Sequence, residues 1–150
     1  MDTVSRAKRS EIMRAIKSRD TGPEREVARA LRRWAPGWRR QYAVLGFRPD
    51  FVWPKEKVAL FVDGCFWHGH PGCWSCPKTN SRWWRNKIRR NRARDRRQGR
   101  ALLAAGWTLR RIYECHIRTL GGAFAAMLVE GPVERARDLL GHRAVPEATA

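Results

Sequence analysis

The sequence predicts a mixed α/β domain, a small sheet flanked by helices, and three observations carry that expectation. Val58-Ala59-Leu60-Phe61-Val62 is apolar throughout, which suits a central strand covered on both faces. Pro54-Lys55-Glu56-Lys57 separates it from an extended run at Asp50 to Trp53, so the two read as an antiparallel pair. A long helical stretch from Thr79 to about Ala105 then passes through Gly106 to a strand at Trp107 to Tyr113, a crossover that returns the chain parallel. At 150 residues the chain fits one domain, able to bury roughly 70% of its unfolded surface.

The remaining elements follow in order. Ser10 to Lys17 is a short helical stretch carrying Ile12, Met13 and Ile16. Thr21-Gly22-Pro23 opens a second helix, with proline in the first turn, where its missing N–H costs nothing. Val27, Leu31 and Trp34 make one apolar stripe by their i, i+4, i+7 spacing. Glu24, three residues before Val27, shares that stripe and is expected to point inward. Ala35-Pro36-Gly37 stops the helix. Tyr42 to Leu45 is a further extended run, and the long helix is open to a break near Gly99. Helices at Ala123 to Glu130 and Val133 to Leu140, separated by Gly131-Pro132, complete the order ααβββαβαα.

Lysine and arginine number 32 and aspartate and glutamate 14, a formal balance of +18. A compact domain with that charge repels itself unless a polyanion is near, and nucleic acid releases counterions on binding. Eleven of the basic residues fall between Lys78 and Arg100, against a single acid, Asp95. Trp84, Ile88, Asn91 and Asp95 share one helical face by 4-3-4 spacing, so the lone carboxylate is expected on the inward side. No apolar leader and no run of ~20 apolar residues is present, so a cytoplasmic protein without a membrane segment is expected. Four cysteines in a reducing compartment point to metal ligands or free thiols rather than disulfides.

The densest chemistry lies in Phe61 to Cys76, FVDGCFWHGHPGCWSC. Cys65, His70 and Cys73 offer soft or borderline ligands within nine residues, the donor set that zinc takes in a closed structural site. The fourth ligand is Cys115 or Cys76. Cys115, directly after the last strand, is favoured because it would tie the loop back to the sheet. His68 is poorly spaced to share that metal; left free, it is a candidate proton carrier. Phe66 and Trp67 have no evident core to fill.

Metal-assisted phosphodiester hydrolysis needs carboxylates converging on one point, to hold hard cations such as Mg²⁺ through oxygen. Asp50 heads one strand, Asp63 ends its hairpin partner, and Glu24 projects from the preceding helix. Asp95 is placed to orient His68. Each has a plainer reading: Asp63-Gly64 is a common turn, Glu24 suits any first helical turn, and Asp95 has many arginines to pair with.

Taken together, these residues resemble the very short patch repair (Vsr) DNA mismatch endonucleases. The motifs stand as Met13-Arg14-Ala15-Ile16, Arg19-Asp20-Thr21, Arg48-Pro49-Asp50-Phe51, Gly64-Cys65-Phe66-Trp67-His68, Pro77-Lys78-Thr79-Asn80, Asn91-Arg92-Ala93-Arg94-Asp95 and Glu114-Cys115, spanning about Arg6 to Arg118. The resemblance implies a restriction-endonuclease-like fold with a degenerate PD-(D/E)xK site and a structural zinc. It implies a nick in one strand of double-stranded DNA, 5′ to the thymine of a T·G mismatch left by deaminated 5-methylcytosine. By matching motifs, Asp50 would be the shared Mg²⁺ ligand, with the main chain of Val62 beside it, and Glu24 would hold water of the metal shell. His68 would assist proton transfer, Asp95 would support it, and Cys65, His70, Cys73 and Cys115 would hold zinc. Phe66, Trp67 and Trp83 or Trp84 resemble a wedge pushed between base pairs, with Met13, Arg14, Lys78, Arg82 and Lys87 as further DNA contacts. The implied organisation is a DNA-clamping helical arm at 1–20, an endonuclease domain at 21–141 and a flexible tail at 142–150. A monomer is expected, bacterial and associated with the nucleoid, with mismatch-repair proteins as candidate partners. Two departures stand out: Val62-Asp63 replaces a hydroxyl residue followed by histidine, and Cys76 has no assigned counterpart.

Two rival classes are weighed against this. A zinc deaminase needs His-x-Glu, and this chain has His68-Gly69-His70. A non-catalytic zinc DNA-binding module explains charge, cysteines and aromatics, but leaves Asp50, Glu24, His68 and Asp95 without work.

Overall fold

The computed structural model describes residues 19–121 and residue 125. Within them lie helix α1 (Gly22–Trp34), strands β1 (Phe51–Trp53) and β2 (Val58–Asp63), the long helix α2 (Ser81–Ala104), strand β3 (Thr108–Tyr113) and helix α3 (Glu114–Leu120). The first helical stretch with Met13 and Arg14, nearly all of the 1–20 arm, the two final helices and the 142–150 tail lie outside the described residues.

The three strands form one sheet in the order β1-β2-β3. β1 and β2 pair antiparallel, with Phe51 opposite Leu60 and Trp53 opposite Val58, across the expected turn at 54–57. β2 and β3 pair parallel from Val58 opposite Thr108 to Asp63 opposite Tyr113, so α2 is the crossover. Side chains alternate across β2 as a period of two requires. Leu60, with Phe51, Trp53 and Ile112, packs against Val27, Ala28 and Leu31 of α1 and Ile117 of α3. Ala59 and Phe61, with Val52, pack against Leu102 of α2 and Val44. Asp63 therefore ends β2 on the α2 side of the sheet.

α1 begins where the sequence placed it. The Thr21 hydroxyl accepts the Glu24 N–H at 3.4 Å and donates to the Glu24 carboxylate at 2.9 Å, a relative of the capping box. Val27, Ala28 and Leu31 are buried, but Trp34, expected to continue the stripe, is 54% exposed. The helix ends at Trp34, so Ala35 turns into the core in its place, and the Arg33 guanidinium lies 5.0 Å over the outward indole.

Three further differences have local causes. Tyr42 to Leu45 is not a strand. Val44 and Phe47 exchange both backbone hydrogen bonds at 2.9 Å, and the intervening Leu45 and Gly46 have positive φ, as a two-residue type I′ turn demands. α2 runs unbroken through Gly99, whose missing side chain lets the helix close on the sheet; a Cβ there would stand 3.1 Å from Leu109. The residues after β3 turn at once into α3, which the sequence reading left undefined. Among the described residues no helix is long and apolar enough to cross a membrane.

Candidate active site and metal centre

Asp50 immediately precedes β1. Its N–H donates to the Leu60 carbonyl at 3.1 Å, and its Oδ2 accepts the Val62 N–H at 2.7 Å, which fixes the carboxylate against the end of β2. Burial pushes its pKa up to about 7. The Val62 hydrogen bond opposes that rise, the charges of Glu24 and Asp63 add to it, and Arg40 opposes it. Glu24 is buried at 6% exposure, inward as expected. Its Oε2 accepts the Asp20 N–H at 2.8 Å and stands 3.5 Å from the Arg40 guanidinium. The Glu24 carboxylate thus both caps α1 and faces the Asp50 region. Arg40 pairs with Glu24 and Arg111 with Asp63, but Asp50 has no ion pair among the described residues, and a hard divalent cation with oxygen ligands fits that place.

His68 lies on the loop after β2, held between two acids. Its Nδ1 is 2.7 Å from Asp95 Oδ2, and its Nε2 is 3.4 Å from Asp63 Oδ1. Asp95 reaches it from the inward face of α2, as the 4-3-4 spacing predicted. Burial would raise the Asp95 pKa, but the His68 hydrogen bond and charge, with Arg111 and Arg94, more than offset it, so Asp95 lies below the ordinary carboxylate range. Asp63 is buried, and that burial raises its pKa despite its ion pair with Arg111 and the nearby His68. The arrangement gives the imidazole a fixed ring plane and charged groups at both nitrogens, which suits a group that must hold or pass a proton.

The same loop builds a second cluster. The ligand atoms of Cys65, His70, Cys73 and Cys115 all lie within 4.8 Å of one another. The His70 Nδ1 is 3.3 Å from the Cys73 sulfur and 3.4 Å from that of Cys115, and the Cys115 N–H reaches the Cys65 sulfur at 3.3 Å. The His70 ring stacks on Tyr113 of β3, with centroids 4.1 Å apart. Cys76 is turned elsewhere, its sulfur directed at the carbonyls of Pro77 and Ser81. Burial and the neighbouring sulfurs push the Cys115 thiol up to about 12, and burial raises Cys65 as well. Sulfurs this crowded resist ionisation unless a cation joins them, so a soft-ligand dication such as zinc fits the set. Cys115, at the start of α3, fastens the loop to the end of β3.

Between the two clusters the loop lies flat on α2. Asn91 donates to the Trp67 carbonyl at 2.7 Å, and Arg92 donates to that of Gly69. Gly69 has φ +61°, and any side chain there would collide with Ile88. So held, Phe66 packs edge to face on Trp67 and Trp84 at 5.2 and 5.0 Å between centroids, Trp67 and Trp84 lie tilted at 6.0 Å, and Trp83 extends the group at 4.7 Å from Trp84. Trp83 is 52% exposed, and Lys78, Arg82 and Lys87 lie exposed beside it. The four rings are each other's packing partners, at the surface next to His68.

The sequence reading missed Arg40 and Arg111. Arg111 sits opposite Phe61 in the parallel register, with its guanidinium 4.9 Å over that ring, paired to Asp63 and 3.8 Å from Asp95. A signal was available: two arginines inside Thr108–Tyr113 place one charge on each face of an inner segment, and a buried arginine requires an acid. Arg40, bridging Asp20 at 3.0 Å and Glu24, had no pattern to announce it.

With this geometry established, the comparisons are specific. A family model described as DNA mismatch endonuclease Vsr matches residues 1–74. A type II nicking enzyme, V.XorIIP of Xanthomonas oryzae pv. oryzae, is 38% identical over 128 residues, covering 84% of this chain and 93% of the relative. The DNA mismatch endonuclease Vsr of Escherichia coli is 40% identical over 119 residues, 78% of this chain and 76% of the relative. The nicking enzyme V.NaeI of Lentzea aerocolonigenes is 39% identical over 113 residues, 72% and 68% respectively. The chain belongs to the Vsr DNA mismatch endonuclease family.

Proposed function

We propose that this protein is a Mg²⁺-dependent, strand-specific DNA endonuclease that nicks 5′ to the thymine of a T·G mismatch, the first cut of very short patch repair. The observation that carries the reading is the meeting of Asp50, Glu24 and Asp63 beside a His68–Asp95 pair, on a loop that also presents Phe66 and Trp67. A zinc-containing module that merely binds DNA has no use for an aspartate held at about 7 or for a histidine between two acids. The restriction-endonuclease-like assignment belongs to the same reading, with Asp50 before β1 standing for the first acid of the degenerate motif.

The work divides by residue. Lys78, Arg82 and Lys87 grip phosphates and fix position without reading sequence. Phe66 and Trp67, backed by Trp83 and Trp84, enter the stack at the wobble pair. Unstacking costs a few kcal/mol per step and least where pairing is faulty, so the wedge disfavours intact duplex. Asp50, with the Val62 main chain, would hold the divalent cation, and Glu24 would orient water at its edge. When bound, the cation supplies Lewis-acid activation of that water and charge for the leaving oxygen. His68 would pass a proton at the cut through Nε2, kept in orientation by Asp95 at Nδ1, with Asp63 3.4 Å from Nε2. Cys65, His70, Cys73 and Cys115 would hold structural zinc, which stiffens the loop carrying wedge and histidine and takes no part in the cut.

The test is a nicking assay on matched, T·G and A·C duplexes, with the nick mapped on a sequencing gel. A Mg²⁺-dependent break 5′ to the mismatched thymine is expected; equal cutting of all three duplexes would overturn the assignment.

A further inference from the structure

Helix α1 presents a feature that the cutting site does not use. Arg25, Arg29, Arg32 and Arg33 line a groove of about 590 Å³ along its outer side, opposite the face that buries Glu24, Val27, Ala28 and Leu31. We propose that this groove is a second phosphate track, which holds the backbone of the duplex flanking the cut.

The charges there are unbalanced. Arg25 has Asp20 at 3.8 Å, but Arg29, Arg32 and Arg33 pair with no carboxylate among the described residues. Arg32 lies 6.0 Å over Trp38 and Arg33 5.0 Å over Trp34, so aromatic faces support these guanidiniums without neutralising them. Four like charges on two turns of helix repel one another, and a polyanion relieves that strain. All four are arginine, whose planar fork meets phosphate oxygens two at a time.

Length and place favour nucleic acid over an acidic protein. From Arg25 to Arg33 the helix rises ~12 Å, enough to meet successive phosphates of one strand. The near end of the groove adjoins the acid cleft, because Asp20 links Arg25 to Arg40, and Arg40 touches Glu24. A backbone leaving the cleft along α1 would meet the arginines in sequence.

The proposal rests on the DNA reading above, but its readout is binding, not cutting. The full chain carrying Arg29→Gln, Arg32→Gln and Arg33→Gln is titrated against a matched 30-base-pair duplex over a range of salt. The slope of log affinity against log salt should fall by about 2.7, from ~0.9 per lost phosphate contact, with at least a tenfold loss of affinity at low salt. Nicking of a T·G duplex at saturation should stay within twofold of the parent. The triple Arg→Lys variant should keep the parental slope, which separates lost charge from lost fold. An unchanged slope overturns the proposal and leaves the groove to an acidic protein. Absence of nicking with the predicted slope change would overturn the endonuclease reading and spare this one.

Discussion

Asp50→Asn should make the protein more stable while removing its activity. An acid held at about 7 rather than 3.8 keeps its proton in the folded chain after the unfolded chain has lost it. Stability therefore declines as pH rises from about 3.8 to about 7 and is flat above. At about 1.36 kcal/mol per pH unit the full penalty is at most about 4 kcal/mol. Asparagine carries no charge yet still accepts the Val62 N–H, so it removes the penalty and keeps the hydrogen bond. We expect a gain of about 1–4 kcal/mol at pH 8, or roughly 2–4 °C in Tm per kcal/mol for a chain of this size. Thermal unfolding of the zinc-loaded proteins, without magnesium, at pH 4, 6 and 8 is the assay. The gap should be small at pH 4 and grow toward pH 8, and added Mg²⁺ should raise the Tm of the parent but not of the variant. A variant no more stable than the parent at pH 8, or a gap independent of pH, would refute the argument that burial strains this carboxylate.

Other consequences follow from the same geometry. Asp95→Asn weakens a charge-assisted 2.7 Å hydrogen bond to His68; at about 1.5–3 kcal/mol the single-turnover nicking rate should drop about 10- to 150-fold, and a rate within twofold of the parent would take Asp95 out of the mechanism. Trp67→Ala should bind matched duplex normally but lose its preference for T·G, measured as a ratio of kcat/KM values; an unchanged ratio speaks against the wedge. Zinc, measured by emission spectroscopy, should be one per chain in the parent and well below one in Cys65→Ser, with a lower Tm. A folded, metal-free parent would contradict the structural-zinc assignment, whereas Cys76→Ser should leave the metal content unchanged.

Much of this was legible in the sequence for reasons that can be named. The strand pair and the parallel return were visible because Val58–Val62 is uniformly apolar and the turn at 54–57 interrupts two such runs. The inward placement of Asp95 followed from helical spacing alone, Thr21-Gly22-Pro23 placed the start of α1, and the apolar stripe gave the direction of Glu24. Other features depended on tertiary contacts. Trp34 obeys the stripe but falls outside the core because the helix ends beneath it. Gly99 looked like a break, yet it marks the closest approach of α2 to β3. Cys115 was favoured over Cys76 because it would tie the loop back to the sheet, and the geometry brings Cys115, not Cys76, to His70. Arg111 escaped notice because its partner, Asp63, is 48 residues away in sequence.

Single-turnover nicking by Asp50→Ala, with T·G duplex binding measured on the same preparation, tests the central claim most directly. Binding within about threefold of the parent, with the rate reduced at least ~10³-fold in Mg²⁺, is the predicted pair of results, the latter corresponding to about 4 kcal/mol of lost transition-state stabilisation. Nicking that persists at the parental rate would mean the backbone is cut elsewhere on the molecule.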